Sequence, residues 1–221
     1  MKKYLIILIC ALLAFSLISC EKDKSEEMLD TFEAFNGTAK KANVMKEVFN
    51  SYISTDLPAT AADGKHEYSV ALADDKGAKL NKKALEALIK WGLATEHDVK
   101  VTKWELTTGE LKGKIEGDIN TNGSLEVSVT NAKFTCTYDI VDGSEPEPIE
   151  KNKTYDFTIN MKYKESKEGS KVSFYMSFSI NGKTNEVSYI MDTSTRKMLS
   201  ASINGKKVNL RIFQIIQNLV S

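Results

Sequence analysis

The chain has 221 residues, with 30 basic and 30 acidic side chains in balance. Arg196 and Arg211 are its sole arginines. Nothing in that balance argues for nucleic acid, which would want a basic stripe, and two arginines leave few bidentate clamps for phosphate or carboxylate.

The first twenty residues have the three parts of an export signal: Lys2 and Lys3, an apolar run over 4–18 broken by Ser16, and small Ser19 at its end. Such a run makes a helix of roughly 22 Å, short of the ~30 Å hydrocarbon core of a membrane. Leu17-Ile18-Ser19-Cys20 resembles the lipobox of bacterial lipoprotein precursors, although Ala or Ser is commoner than Ile at position 18. The resemblance covers residues 1 to about 24. It implies that Cys20 receives a diacylglycerol, that the signal is cut before it, and that the new amino terminus is acylated too. Each buried methylene contributes about 0.8 kcal/mol, so two or three acyl chains hold almost permanently. The expected organisation is a signal peptide at 1–19, a lipidated charged tether at 20–27 and a single β-rich domain at 28–221. Acidic and lysine-rich tethers resemble those of lipoproteins sorted to the outer membrane or cell surface. With Cys10 in the signal and Cys20 lipidated, Cys136 has no partner for an internal disulfide.

Beyond the tether, Met28, Leu29, Phe32 and Phe35 fall at helical spacing, and Asn36-Gly37 is expected to break the run. Thr38 caps a second expected helix with Val44, Met45, Val48, Phe49, Tyr52 and Ile53 on one stripe. A short strand is expected over 66–73 and a third helix from Asn81 to Gly92, with Ala84, Leu85, Leu88 and Ile89 on its apolar face.

From Asp98 the period changes from 3.6 to 2. Val172, Phe174, Met176, Phe178 and Ile180 alternate with polar residues, as do Tyr155, Phe157, Ile159, Met161 and Tyr163. That is the pattern of an antiparallel sheet with one dry face. Directly opposed residues share a face, so turns can be tested by what they oppose. An Asn181-Gly182 turn sets Met176 against Val187, Phe174 against Tyr189 and Val172 against Met191. An Asn204-Gly205 turn sets Ala201 against Val208 and Leu199 against Leu210. Both are type I′ candidates. A loop over 121–123 with Gly123 left-handed would set Ile119 against Leu125, and a turn at Asn131-Ala132 would set Val129 against Phe134. Trp104 and Leu106 are out of phase with Val99 and Val101, which a bulge would explain. Glu145-Pro146-Glu147-Pro148 lies in an extended exposed loop, and the apolar residues of 212–220 return to helical spacing.

The expected fold class is α+β: an antiparallel meander of about ten strands curled into a barrel or half-barrel, with two or three helices before it and a short one after.

Chemistry-bearing constellations are sparse. Asp118, Asn120, Asn122 and Gly123 match the first half of a calcium loop, but Val129 stands where the closing Glu belongs. Glu96, His97 and Asp98 are sequence neighbours that an extended chain points to opposite faces, and His66 lacks a partner at ligand spacing. Cys136 alternates with Phe134 and Tyr138, so it reads as a core residue. No metal or cofactor and no catalytic residue is expected. Strongly curved meanders with Phe- and Met-rich concave faces often hold apolar ligands. The expected function is a lipid-anchored, non-enzymatic binding module for an apolar small molecule or lipid. Phe157, Ile159, Phe174, Met176, Phe178 and Tyr189 would face that ligand. The alternative is a surface protein that binds a protein partner through its loops.

Overall fold

Two helices and eight strands make up the described residues of the computed structural model, which are 22–56, 60–72, 80–144 and 147–211. In chain order they are α1 (Lys22–Asp56), β1 (Thr60–Ala71), α2 (Lys82–Leu93), β2 (Asp98–Asp118), β3 (Asn122–Val141), β4 (Glu150–Glu168), β5 (Lys171–Ile180), β6 (Lys183–Asp192), β7 (Lys197–Ile203) and β8 (Lys206–Lys207). All eight strands form one sheet in sequence order, each antiparallel to the next. The expected meander is present, but β1 and β8 remain its edges and the sheet does not close into a barrel. The expected C-terminal helix over 212–220 and the signal with Cys20 lie outside the described residues.

The expected break at Asn36-Gly37 does not occur: α1 is one helix of 35 residues. Phe32, Phe35, Thr38, Ala42, Met45, Phe49 and Tyr52 keep three- and four-residue spacing through that dipeptide, and all seven are buried. Thr38, expected as a cap, is one of this stripe. A glycine in a helix costs about 1 kcal/mol relative to alanine. Burying even one large apolar side chain returns about 1.5–3 kcal/mol, so the continuous stripe prevails. The helix expected from near Asn81 is α2, and Asn81 caps it. Asn81 accepts a hydrogen bond from the Ala84 N–H at 3.2 Å, and Ala84, Leu85, Leu88 and Ile89 are buried.

The strand count falls from the expected ten to eight because β2, β3 and β4 are long, at 21, 20 and 19 residues. Such strands would run roughly 65 Å if straight. They bend instead, at register shifts near Val101/Lys103, Leu106/Thr108 and Thr108/Glu110 on one ladder and near Val129/Ala132 and Tyr138/Ile140 on the next. The first of these re-aims Trp104, as its phase suggested. The expected turn at Asn131-Ala132 is a bulge: Asn131 takes φ 51° inside β3, and its N–H donates to Asn160 Oδ1 at 2.9 Å. The expected 121–123 loop is displaced as well. The loop is 119–121, Gly117 rather than Gly123 is left-handed at φ 67°, and Leu125 faces Ile115. Glu86 of α2 accepts the Val101 N–H at 3.1 Å beside the first shift, which satisfies a backbone donor there.

The two type I′ hairpins are formed. Asn181 and Gly182 have φ 49° and 80°, and Met176, Phe174 and Val172 oppose Val187, Tyr189 and Met191. Asn204 and Gly205 have φ 47° and 76°, and Val208 donates to the Ala201 carbonyl at 2.9 Å. The further pairing of Leu199 with Leu210 fails. Ile190 pairs with Ser200 and Met191 with Met198, so Leu199 is an extra residue on a bulge and is 46 % exposed.

Both helices share one core with a single face of the sheet. Helix α1 packs on β5, β6, β7 and α2, and α2 packs on β2. The bent sheet thus wraps a helix pair, and its other face meets solvent. There Glu67, Lys114, Glu126 and Lys164 form a row of alternating charge across β1 to β4. Lys65–Glu67 at 2.6 Å, Lys114–Glu116 at 2.6 Å and Lys164–Glu126 at 2.5 Å are its ion pairs. Hydrogen bonds from Lys65 and Lys114 hold the Glu67 and Glu116 carboxyls below their ordinary range.

Candidate functional site

Regions of the described residues that could meet a ligand include the inner face under the helices, the outer face of the sheet, and a crevice at the rim where helices and strand ends come together.

On the inner face, Phe157, Ile159, Phe174, Met176 and Phe178 are brought together, as their alternation implied, and all are buried. Tyr189 stacks on Phe174 with ring centroids 4.8 Å apart. The face these six define is occupied by the protein itself. Phe49 of α1 lies 6.4 Å from Phe134, which stacks at 5.0 Å on Phe157, and Met45, Val48 and Tyr52 join the same core. A polar clasp fixes the helix to the strands. Lys46 donates to Tyr163 Oη at 2.8 Å, stands 4.6 Å from the Tyr163 ring centre and lies 3.7 Å from Glu165. The same hydroxyl donates to Glu165. Burial, then the hydrogen bond to Glu165, push the Tyr163 phenol far above its ordinary value.

Cys136 is fully buried on this face, and burial pushes its thiol up to about 12, with Asp156 adding to the effect. A thiolate nucleophile at neutral pH is not available there. The half calcium loop is committed to backbone instead. Asp118 Oδ1 accepts from the Asn120 N–H at 2.8 Å, and Asn122 Oδ1 accepts from Gly169 at 2.9 Å. Among the described residues, no three His, Cys, Asp or Glu side chains gather where a metal ion could sit. Glu96, His97 and Asp98 are exposed, and Asp98 pairs with Lys90 at 2.8 Å.

The outer face carries an open trough of about 650 Å³ over β1 to β5, bordered by Lys112, Lys114, Lys162, Lys164, Ser128 and Tyr175 among others. A smaller one of about 380 Å³ adjoins it and shares Ser128, Lys162 and Tyr175. Strand alternation gave this face its polarity but no sign of a hollow, because hollowing comes from twist and bulges.

The rim crevice was not legible in the sequence. It holds about 350 Å³ between Lys41 of α1, Trp91 and Gly92 of α2, Tyr155 of β4, Phe178, Ile180 and Asn181 at the end of β5, and Lys183 and Asn185 of β6. Lys41 Nζ lies 5.8 Å from the Trp91 ring centre, and Tyr155 stacks on Phe157 at 5.5 Å. A Cβ at Gly92 would collide with Tyr155 Oη, so a larger residue there would displace that side chain. Asn181 Nδ2 reaches Tyr155 Oη at 3.4 Å while its Oδ1 accepts from Thr158 at 2.9 Å. Trp91 is out of any long apolar run, and its neighbours come from four elements, so no local pattern could reveal the site.

Among the described residues no helix is long and apolar enough to cross a membrane. No protein-family model, curated protein or solved structure matches the chain.

Proposed function

We propose that the chain is a non-enzymatic binding module of the bacterial envelope, held to the outer membrane or cell surface by lipid on Cys20. It meets its partner at its surface rather than inside its sheet. The observation that carries this reading is the seating of α1 on the apolar face that a carrier would leave open, with Phe49 against Phe134 and Lys46 clasped to Tyr163. Packed cores leave few voids larger than a water molecule, so the six inward side chains serve stability. The lysine-bordered trough over β1 to β5 and the rim crevice are concave surfaces open to a partner. A protein partner docking over the outer face and its loops suits the alternating charged rows, which favour a complementary polar surface over an apolar ligand.

Two measurements test this. In the native host, labelled fatty acid should enter the wild-type chain and not Cys20→Ser; label on the variant overturns the anchor. Native mass spectrometry of gently purified protein should show no stoichiometric lipid beyond the covalent anchor. Bound fatty acid lost in Phe174→Trp or Met176→Trp would restore the carrier reading.

A further inference from the structure

We propose that the rim crevice binds a small ring-bearing organic anion, by class an acidic monosaccharide. This deepens the surface-binding reading and rests on it only in that the ligand is met outside the core.

The crevice has two aromatic walls held in place before any ligand arrives. Tyr155 is backed by Phe157 and Phe134 in a continuous stack at 5.5 and 5.0 Å. Trp91, on the last turns of α2, is packed partly against the core. Walls that need no rearrangement lower the ordering cost of binding. Flat rings of this kind take the apolar face of a sugar or another ring, while their edges leave its polar groups to neighbours.

Those neighbours are amides and cations. The Asn185 side chain has no hydrogen-bond partner among the described residues, so both its amide groups can serve hydroxyls. Lys41 and Lys183 border the crevice, and among the described residues no Asp or Glu does. Lys90, also on α2, is neutralised by Asp98 at 2.8 Å, whereas Lys41 and Lys183 have no ion-pair partner among the described residues. Two unpaired ammonium groups beside aromatic walls favour an anion over a neutral ring. The volume of about 350 Å³ sits at the low end of the 300–1,000 Å³ range of small-molecule sites, which suits one ring better than a chain.

The test uses the full chain in mild detergent with ¹⁵N-labelled tryptophan, whose indole signals report Trp91 and Trp104 separately. Methyl β-glucuronide should move the Trp91 signal, leave Trp104 in place and bind about tenfold more tightly than methyl β-glucoside, as two partly exposed charges allow. The double variant Lys41→Gln/Lys183→Gln should erase that preference without altering the thermal melt. Gly92→Ala, which drives Tyr155 from its place, should weaken both sugars. Equal binding of the two sugars overturns the charge assignment, and benzoate binding more tightly than the glucuronide overturns the sugar assignment. No shift of Trp91 at 50 mM glucuronide overturns the site. None of these results alters lipid labelling at Cys20 or lipid content in the mass spectrum, so failure of the crevice and failure of the anchored module can be told apart.

Discussion

Replacing Phe49 with alanine probes whether α1 fills the curve of the sheet. Phe49 is fully buried, and its ring lies against Phe134, the inner end of a stack that runs through Phe157 to Tyr155. Truncating a phenylalanine in such a setting costs about 3–5 kcal/mol, part lost transfer energy and part cavity. Single domains hold about 5–15 kcal/mol in all, so the variant should fold but melt early. In urea, with a slope of about 2 kcal/mol per molar, the midpoint should fall by about 2 M with the slope unchanged. Leu199→Ala, at a bulged and 46 % exposed position, is the control and should stay within about 0.5 kcal/mol of wild type. A midpoint shift under about 0.5 M for Phe49→Ala would mean that α1 is not seated on the sheet. The apolar face would then be open, and the case against an internal ligand would fail with it.

Gly37 has open space where a side chain would begin, so Gly37→Ala should raise stability by about 0.5–1 kcal/mol in the same urea assay; a loss would show that the helix breaks there after all. At the β3 bulge, Asn131→Gly should be close to neutral, whereas Asn131→Val, β-branched at φ 51°, should cost about 2 kcal/mol. Equal melts for the two would refute the left-handed assignment. The Cys136 thiol ionises near 9 in the unfolded chain and near 12 in the fold, so its stabilising contribution is whole below pH 9 and erodes as pH rises toward 12. Linkage gives a loss of about 1 kcal/mol between pH 9 and 10, absent in Cys136→Ala; an unchanged slope in that variant would show that the thiol does not cause it. Millimolar calcium should leave the melting temperature within about a degree, since Asp118 and Asn122 are spent on backbone. A rise abolished by Asp118→Ala would restore the metal loop.

Local information ends at the turns. Asn181-Gly182 and Asn131-Ala132 both put an asparagine between alternating runs, yet the first is a hairpin turn and the second a bulge inside a strand. Asparagine tolerates positive φ in either role. What separates the two is Gly182, which a type I′ turn needs at its second position and Ala132 cannot replace without strain. That difference was present in the residues. What was not present was Asn160 on the neighbouring strand, whose side chain takes the Asn131 N–H and allows β3 to run on. Of the crevice, Trp91, Tyr155 and Lys41 carried no shared signal, because they come from three separate elements.

Residue pattern alone fixes the antiparallel meander, the inward set on each strand from 155 to 191, the two Asn-Gly hairpins and the start of α2 near Asn81. Each follows from side-chain period or from a backbone dihedral that few residues can adopt, and both are local. Packing between distant elements settles that Asn36-Gly37 stays helical, that ten expected strands merge into eight, that the sheet stays open, and that the helices occupy its apolar face. Those outcomes depend on which surfaces bury one another. A glycine's cost of about 1 kcal/mol is decided by the sheet packed beneath the helix, and a strand's bend by the neighbours that accept its displaced N–H groups.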